Sequence, residues 1–182
     1  MSHEWLEKIK SSFGDKILKT RESVAAEWEV TVTPGPHKEV LAFMKSDQGG
    51  AFVHLADLTA YDEHPKSPRF FVTYVLISMK LKQRALVVVP LSSDENPKIE
   101  SICDLWEGAN WLERETYDMF GIEFTGHPDH RRLLLPVSFK GFPLRKDFIL
   151  DYRQQFPEVS ETSQVFDPFG NNIVSEGLGK DP

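Results

Sequence analysis

The chain has 182 residues, of which 40% are hydrophobic and 12% aromatic, so it is long and apolar enough for about one folded domain. This composition excludes a globally disordered protein, because disordered chains contain few aromatic and few hydrophobic residues. Its 21 basic residues are outnumbered by 28 acidic ones, and the net charge of −7 argues against nucleic acid as the main partner and against a polybasic membrane patch.

Apolar periodicity in the first half of the chain predicts a mixture of helices and strands. Helical spacing predicts helices over residues 5–13 and 37–45, the first of them ended by Gly14. Alternating or continuous apolar runs predict strands over residues 28–33, 51–58, 69–78 and 84–91. Helices mixed with strands that short turns connect predict an α+β fold, in which helices cover one face of a largely antiparallel sheet.

The second half of the chain predicts one helix followed by turns and a tail. Residues 108–120 have helical spacing, and Gly121 is placed to end the helix in the left-handed conformation. Glycine and proline then recur up to residue 148, which is typical of consecutive turns. We therefore expect an α+β domain over 1–107, a helix and turn-rich partner-binding segment over 108–148, and an extended or disordered tail over 149–182. The tail is too polar to form a core and is either disordered or wraps a partner.

The sequence shows neither a membrane span nor a secretory signal. The longest apolar runs, residues 70–79 and 85–91, are shorter than the roughly 20 residues that a membrane-spanning helix needs. Acidic residues occupy the N-terminus, where a secretory signal has basic and apolar ones, so we expect a cytosol-facing protein. The single cysteine, Cys103, cannot supply the several thiolates of a usual iron–sulfur cluster, and we expect it to pack rather than react.

The predicted helix over 108–120 carries most of the candidate functional residues. At about 100° per residue, one face is apolar and holds Leu112, Thr116, Met119 and Phe120. The other face is polar and holds Glu113, Arg114, Tyr117 and Asp118. Side chains four residues apart can be in contact, so Arg114 can reach Asp118 and Glu113 can reach Tyr117. Glu115 falls near the edge of the apolar face and is the best candidate for a desolvated, hydrogen-bonded carboxylate.

Two interpretations of these charges are open from the residues alone. The polar face is either a solvated surface with an ordinary ion pair, or Glu113 and Asp118 meet cationic groups of a partner across an interface. The basic pairs Arg131-Arg132 and Arg145-Lys146 belong to the same question. Arginine presents a rigid fork that suits carboxylates, so interfacial pairing is chemically plausible, and free solvated charge is the alternative.

A catalytic interpretation treats the acidic and histidine residues of this stretch as a metal site or an acid–base pair. These residues are Glu113, Glu115, Asp118, His127 and His130. Their spacing does not match the His-Glu-x-x-His motif of zinc hydrolases, and Pro128 between the two histidines prevents a shared helical face. The sequence also contains no GxGxxG, GxxxxGK[ST] or GxSxG motif. A free-standing metal hydrolase is therefore a distant alternative.

The same stretch resembles the signature of a known family. Its residues run from Gly108 to Ile122 (GANWLERETYDMFGI) and continue with Gly126-His127-Pro128, Arg131-Arg132-Leu133-Leu134 and the run GFPLRKD at 141–147. They are similar to the C subunit, also called the 30-kDa subunit, of proton-pumping NADH:quinone oxidoreductase, which is respiratory complex I or NDH-1. Weaker similarity extends upstream through His54–Ala60 and Ser101–Trp106. The chain departs from the family at His130, where the family usually has an aliphatic residue.

The resemblance implies a structural subunit of the peripheral arm, on the cytoplasmic face of the bacterial inner membrane. Such a subunit packs against subunits D and B and itself binds no flavin, cluster or quinone. The complex carries FMN and Fe-S clusters, and it passes electrons from NADH to ubiquinone or another quinone while it translocates protons. Related membrane hydrogenases and ferredoxin- or F420-dependent oxidoreductases have an equivalent subunit, which is the nearer alternative.

The charged residues of the signature are the expected interface. They are Glu113, Glu115, Asp118, His127, Arg131, Arg132, Arg145 and Lys146. We expect no catalytic, cofactor-binding or metal-binding residue in the chain itself. Its role in this interpretation is to hold redox-active neighbours together.

Overall fold

The computed structural model describes residues 4–22 and 27–149, together with two short strands in the C-terminal region. The helices are α1 (Glu4–Phe13), α2 (His37–Lys45) and α3 (Ala109–Phe120). The strands are β1 (Ile17–Glu22), β2 (Trp28–Val32), β3 (His54–Asp62), β4 (Phe70–Ser78), β5 (Gln83–Pro90), β6 (Lys98–Glu100), β7 (Glu123–Thr125), β8 (Val165–Phe166) and β9 (Asn172–Ile173). Not one of these three helices combines the length and the apolar character that a membrane span requires.

Contacts divide the chain into two units, Met1–Tyr152 and Arg153–Pro182. The first unit contains α1 to α3 and β1 to β7. In the second, β8 and β9 form an antiparallel pair. Apart from Ile149 and this pair, the tail expected over 149–182 lies outside the described residues. The boundaries expected at 107/108 and 148/149 stay predictions.

Five strands form one mixed sheet in the order β1-β2-β5-β4-β3. The pairs β1–β2, β3–β4 and β4–β5 are antiparallel, and β2–β5 is parallel. The parallel pair joins strands that are separated along the chain by α2 and by the β3–β4 hairpin. The prediction of an α+β fold with a largely antiparallel sheet is confirmed.

Two strand predictions need correction at the edges of this sheet. β1 is missing from the prediction because its sequence, ILKTRE, has no apolar alternation; an edge strand keeps charged side chains in solvent. β3 was expected over 51–58 and instead begins at His54 and ends at Asp62. The preceding residues form a turn after α2, in which Ala51 has a φ of 53° and donates its N–H to the Ser46 carbonyl at 2.8 Å.

Apolar side chains of α1, α2 and the sheet form a common core. From the two helices it receives Trp5, Leu6, Ile9, Val40, Leu41 and Met44, each at most 3% exposed. Trp5 Nε1 donates a hydrogen bond to Gln83 Oε1 at 2.7 Å, and its ring meets Phe52 edge-on at 5.0 Å. Since Gln83 begins β5, this bond fixes α1 against the sheet.

Helix α3 ends where the sequence predicts. Gly121 lies in the left-handed region with φ 71° and ψ 30°, and its N–H donates to the Tyr117 carbonyl at 2.8 Å. The helix packs beside β3, and the chain then forms β7, which pairs in parallel with β6. Residues 126–149 contain no helix or strand, so the predicted turn-rich segment is confirmed.

The left-handed helix end makes Gly121 sensitive to substitution. We expect Gly121→Ala to destabilise the chain by about 1–2 kcal/mol, because a side chain makes this backbone conformation unfavourable. This value covers the backbone conformation alone and is a lower bound, because the added Cβ would also lie 2.4 Å from Phe142 Cε2. Gly108→Ala is the matched control, because its φ is −62° and a Cβ there meets no atom within 4 Å. Urea unfolding midpoints test this, and equal midpoints for the two variants would contradict it.

Candidate interaction site around helix α3

Helix α3 buries two of the carboxylates that the sequence placed on its polar face. Glu113 and Asp118 are 0% exposed, whereas Glu115 is exposed. Of the two open interpretations, a solvated polar face therefore does not hold for Glu113 and Asp118, and desolvation of Glu115 at an interface stays a prediction. The physical reason is that the chain before and after α3 folds onto the helix and supplies hydrogen-bond donors to both buried groups.

The Asp118 carboxylate is enclosed by donors from a loop that follows the helix. Its Oδ1 accepts a hydrogen bond from Arg132 Nη1 at 2.6 Å. Its Oδ2 accepts from the backbone N–H groups of Leu133, Leu134 and Leu135 at 3.1, 2.7 and 2.8 Å. Successive N–H groups that converge on one oxygen form an anion-binding concavity, or nest, which is filled by the chain's own carboxylate.

These donors determine the charge of Asp118. Burial alone would raise the pKa of this carboxyl, but hydrogen bonds from Leu135, Leu134, Arg132 and Leu133 outweigh it, and the pKa is lowered. Asp118 is therefore an anion at neutral pH. Its partner Arg132 is also enclosed, with 16% of its side chain exposed, so a largely desolvated ion pair holds the loop on α3.

Glu113 shows the opposite balance. Its Oε1 accepts the Ile102 N–H at 2.7 Å, and its Oε2 lies 3.5 Å from Cys103 Sγ. Burial is the largest influence on the pKa of Glu113 and raises it. Hydrogen bonds from Ile102, Ser101 and Cys103 lower the pKa but do not outweigh burial. Burial also raises the pKa of Cys103 to about 11. The thiol is therefore protonated at neutral pH and donates to Glu113, and Cys103 packs against the core as expected.

His127 lies beside Glu113, and both of its ring nitrogens are engaged in hydrogen bonds. Ligand atoms of Cys103, Glu113 and His127 all lie within 4.8 Å of one another. However, His127 Nδ1 accepts the Asp129 N–H at 2.9 Å, so Nε2 carries the ring proton and donates to the Asn110 carbonyl at 3.1 Å. A neutral imidazole binds a metal through Nε2 only when its proton is on Nδ1. The tautomer therefore disfavours a metal site built on His127.

His130 is also used in a backbone hydrogen bond. Its Nε2 accepts the Phe124 N–H at 3.1 Å, and its ring lies 4.2 Å from the ring of Tyr117. Burial is the largest of the influences that lower the pKa of His130, which favours the neutral ring that this bond requires. The ring therefore satisfies a donor of β7, which an aliphatic residue could not do.

Arg114 binds backbone carbonyls instead of pairing with Asp118. Its Nε donates to the Arg131 carbonyl and its Nη2 to the Arg132 carbonyl, both at 3.1 Å. The Arg114–Asp118 contact that the spacing allows is therefore not made, because Asp118 pairs with Arg132 instead. The guanidinium of Arg114 also lies 5.2 Å from the ring of Trp111, so it connects the start of α3 to the returning loop.

Arg145 closes the other end of α3. Its Nε donates to the Phe120 carbonyl at 2.6 Å, and its guanidinium lies 4.9 Å from the Phe70 ring and 4.8 Å from the Phe142 ring. A cation is favourable at the C-terminus of a helix, where carbonyls are left without partners. Burial is the main influence that lowers the pKa of Arg145, and the aromatic rings partly compensate for the lost water.

A second ion-pair cluster attaches the end of the turn-rich segment to the sheet. Arg69 makes two hydrogen bonds to Asp62, at 2.9 and 2.7 Å, and two to Asp147, at 3.0 and 2.6 Å. Asp62 also accepts the Lys146 N–H at 2.9 Å. Burial would raise the pKa of Asp62, but Arg69 and two backbone N–H groups lower it well below its usual range. Sequence reasoning missed Asp62 and Arg69, since no local pattern links them to Asp147.

Three of the expected interface residues keep exposed side chains: Glu115, Arg131 and Lys146. Arg131 makes two hydrogen bonds to Asp129, at 2.6 and 2.8 Å. The other five expected residues make hydrogen bonds within the chain. An interface role for any of the eight residues stays a prediction.

The site also exposes large apolar side chains that were not among the expected interface residues. They are Trp111 (60% exposed), Leu134 (61%), Val137 (93%) and Leu144 (54%). Only polar and charged residues of the signature were expected at the interface, so these four were missed. One signal was available, because Trp111 lies about 100° from Leu112 on the helix and so falls outside the apolar face.

The fold and the site define a class of protein: an α+β scaffold that holds a turn-rich surface in one conformation by internal ion pairs. Such a surface suits contacts with other proteins. The chain belongs to the family described as "Respiratory-chain NADH dehydrogenase, 30 Kd subunit", which it matches over residues 30–154. The resemblance drawn from residues 108–147 is thereby confirmed.

Individual relatives agree with this family. The chain is 42% identical to the NADH-quinone oxidoreductase C subunit of Bartonella henselae over 142 residues, which cover 77% of this chain and 68% of the relative. It is 41% identical to the corresponding protein of Ruegeria pomeroyi over 143 residues, which cover 78% and 70%. A chain in the structure of the membrane-bound sulfane sulfur reductase, an archaeal respiratory membrane complex, shares the fold with a TM-score of 0.66 at 21% identity, over 96% of this chain and 98% of that one.

The burial of Asp118 predicts a large effect of its removal. We expect Asp118→Ala to destabilise the chain by about 3–5 kcal/mol, because it leaves Arg132 buried without its partner. Glu115→Ala is the matched control on the same helix, since Glu115 is exposed and none of the described residues pairs with it. Chemical unfolding of the purified chain measures both. A Glu115→Ala loss as large as that of Asp118→Ala would contradict the assignment.

The opposite pKa shifts of Asp118 and Glu113 predict opposite pH dependence. The lowered pKa of Asp118 gives stability that is present above its unfolded pKa of about 3.9 and is lost as the pH falls through the folded value. The raised pKa of Glu113 gives stability that is present below its unfolded pKa of about 4.3 and is lost as the pH rises.

Isosteric amides test this difference in the unfolding free energy. The deficit of Asp118→Asn relative to the unmodified chain should shrink as the pH falls below about 4. Glu113→Gln should instead gain on the unmodified chain as the pH rises above about 4. Unfolding free energies across the acid range measure both, and parallel curves for the two variants would refute the assignment.

Proposed function

We propose that the chain is a structural subunit of the peripheral arm of proton-pumping NADH:quinone oxidoreductase, and that it is neither catalytic nor cofactor-binding itself. In the complex, electrons pass from NADH through FMN and Fe-S clusters of other subunits to quinone. Membership of the 30 kDa subunit family supports this function. The observation that carries the structural role is the segment after α3, which internal bonds hold in place while it exposes apolar side chains such as Leu134.

The use of the charged groups supports a non-catalytic role. Asp118 accepts four hydrogen bonds from its own chain, and its lowered pKa makes it a poor proton acceptor. Arg145 is engaged with the end of α3. Groups committed to internal bonds in this way are unavailable for acid–base chemistry on a substrate. The distant alternative, a metal hydrolase, is disfavoured further by the His127 tautomer.

We propose subunits D and B as the partners, contacted through residues 108–148, and the cytoplasmic face of the membrane as the location. The apolar side chains exposed there, Val137 at 93% among them, support a surface that another subunit covers, since removing apolar area from water favours association. The second candidate is the equivalent subunit of a related membrane complex, favoured by the fold shared with a chain of the archaeal sulfane sulfur reductase. Neighbouring genes that encode NADH- and flavin-binding subunits would distinguish the first candidate from the second.

Co-purification tests the proposed function. A tagged copy, expressed from its own locus, should recover the other subunits of the complex from detergent-solubilised membranes together with NADH:quinone activity. The same chain purified alone should show no visible absorption and no oxidation of NADH. Recovery of the tagged chain without other subunits would overturn the proposal, and so would turnover by the isolated chain.

A further inference from the structure

One exposed stripe on the first half of α3 and the turn before it combines an aromatic side chain with two carboxylates. Glu107, Trp111 and Glu115 are spaced four residues apart and all are exposed. Helical turns extend back to Glu107, because its carbonyl accepts the Asn110 N–H at 3.2 Å. Gly108 also has helical backbone angles, φ −62° and ψ −21°, so helical spacing places the three residues on one side over a length of about 12 Å. Gly108 lies between them and leaves the surface open, since a Cβ there would meet nothing within 4 Å.

The two carboxylates differ from other acidic groups near this site. Glu100 pairs with Lys38 at 2.9 Å, and Glu123 pairs with Lys98 at 2.7 Å. Neither Glu107 nor Glu115 has an ionic partner among the described residues. Their charge is left for a group outside the chain, which must be cationic to complement it.

The indole of Trp111 is held in position from one side. The Arg114 guanidinium lies 5.2 Å from its ring, and two backbone carbonyls fix that guanidinium. The indole nevertheless remains 60% exposed. A rigid aromatic side chain of this kind is a typical binding anchor, because little conformational entropy is lost when a partner covers it.

We propose that Glu107, Trp111 and Glu115, the acidic–aromatic stripe, dock a basic segment of a neighbouring subunit. The segment carries an apolar pocket for the indole between two lysine or arginine side chains. This inference rests on the proposed function, which supplies the neighbouring subunit. Anionic lipid and nucleic acid are poor occupants, because their phosphates repel the carboxylates. A second copy is also a poor occupant, since a two-fold contact brings the same acidic residues together.

Capture of the other subunits by the tagged full-length chain tests the stripe. Trp111→Ala should lower their recovery about tenfold or more, as expected for a buried aromatic anchor. Gly108→Arg should do the same by steric and charge block, and its φ of −62° accepts a side chain without strain. The double variant Glu107→Gln, Glu115→Gln should lower recovery at low salt. At high salt its recovery should be close to that of the unmodified chain, because salt screens the charge contribution that the unmodified chain would otherwise have.

Matched controls lie away from the stripe. Leu18→Ala removes another exposed apolar side chain, 57% exposed, on the opposite edge strand of the sheet. Glu95→Gln removes another exposed acidic group that no described residue pairs with. Both controls should recover the other subunits like the unmodified chain. Gly108→Arg and the glutamate variants should keep its thermal midpoint because these positions are exposed. Trp111→Ala loses the contact with the Arg114 guanidinium, so Gly108→Arg separates an effect on docking from an effect on stability. Recovery unaffected by Trp111→Ala and Gly108→Arg would overturn the inference.

Photo-cross-linking identifies the occupant. With benzoylphenylalanine in place of Trp111, the cross-linked peptide should come from another subunit and contain at least two lysine or arginine residues. A cross-link to an acidic or uncharged peptide, to lipid, or to a second copy would overturn the inference. Failure of the proposed function looks different, because the unmodified chain would then recover no other subunit at all.

Discussion

The conformation of the segment after α3 depends on one buried anion. Taking a carboxylate out of water costs several kcal/mol unless donors replace the lost hydration, and Asp118 is 0% exposed. Three of its four donors are successive backbone N–H groups, and the fourth is the Arg132 guanidinium. The loop therefore cannot change its backbone conformation without leaving a buried charge unpaired. The described part of the segment after α3 has no regular secondary structure beyond β7, and so it forms no ladder of backbone hydrogen bonds of its own. The hydrogen bonds to Asp118 hold its backbone instead.

The same segment is attached at its far end by different chemistry. Arg145 binds the last carbonyls of α3 between two aromatic rings, and Asp147 shares Arg69 with Asp62 of β3. Arginine suits this role because its planar fork can bind two carboxylates at once, each through two hydrogen bonds. The turns over residues 126–149 are thus held both to the helix and to the sheet. Each attachment satisfies backbone groups that would otherwise be buried without partners.

Local signals in the sequence predicted α3, its end at Gly121 and most of the sheet. Each of these depends on spacing or on one special conformation, which neighbouring residues determine. The burial of Glu113 and Asp118 was missed, because periodicity assigns charged residues to the surface by default. What reverses that default is the return of distant loops, which bring the Ile102 and Leu135 N–H groups to the two carboxylates. The role of Arg69 was missed for the same reason, because Asp147 is 78 residues away along the chain.

The internal ion pairs fix the backbone of the segment after α3, and the exposed apolar side chains are the part of that segment that a partner could cover. A subunit that presented loose loops would lose conformational entropy whenever a partner ordered them, and binding would be weaker by that amount. In this chain the ordering occurs on folding, because the Leu134 N–H donates to Asp118 and fixes the backbone there. The Leu134 side chain, which is 61% exposed, is therefore already in position. Trp111 is likewise positioned by Arg114 before any partner arrives. In the proposed structural role, the buried charges of the family signature would therefore act indirectly, by fixing the shape of the surface that the exposed residues present.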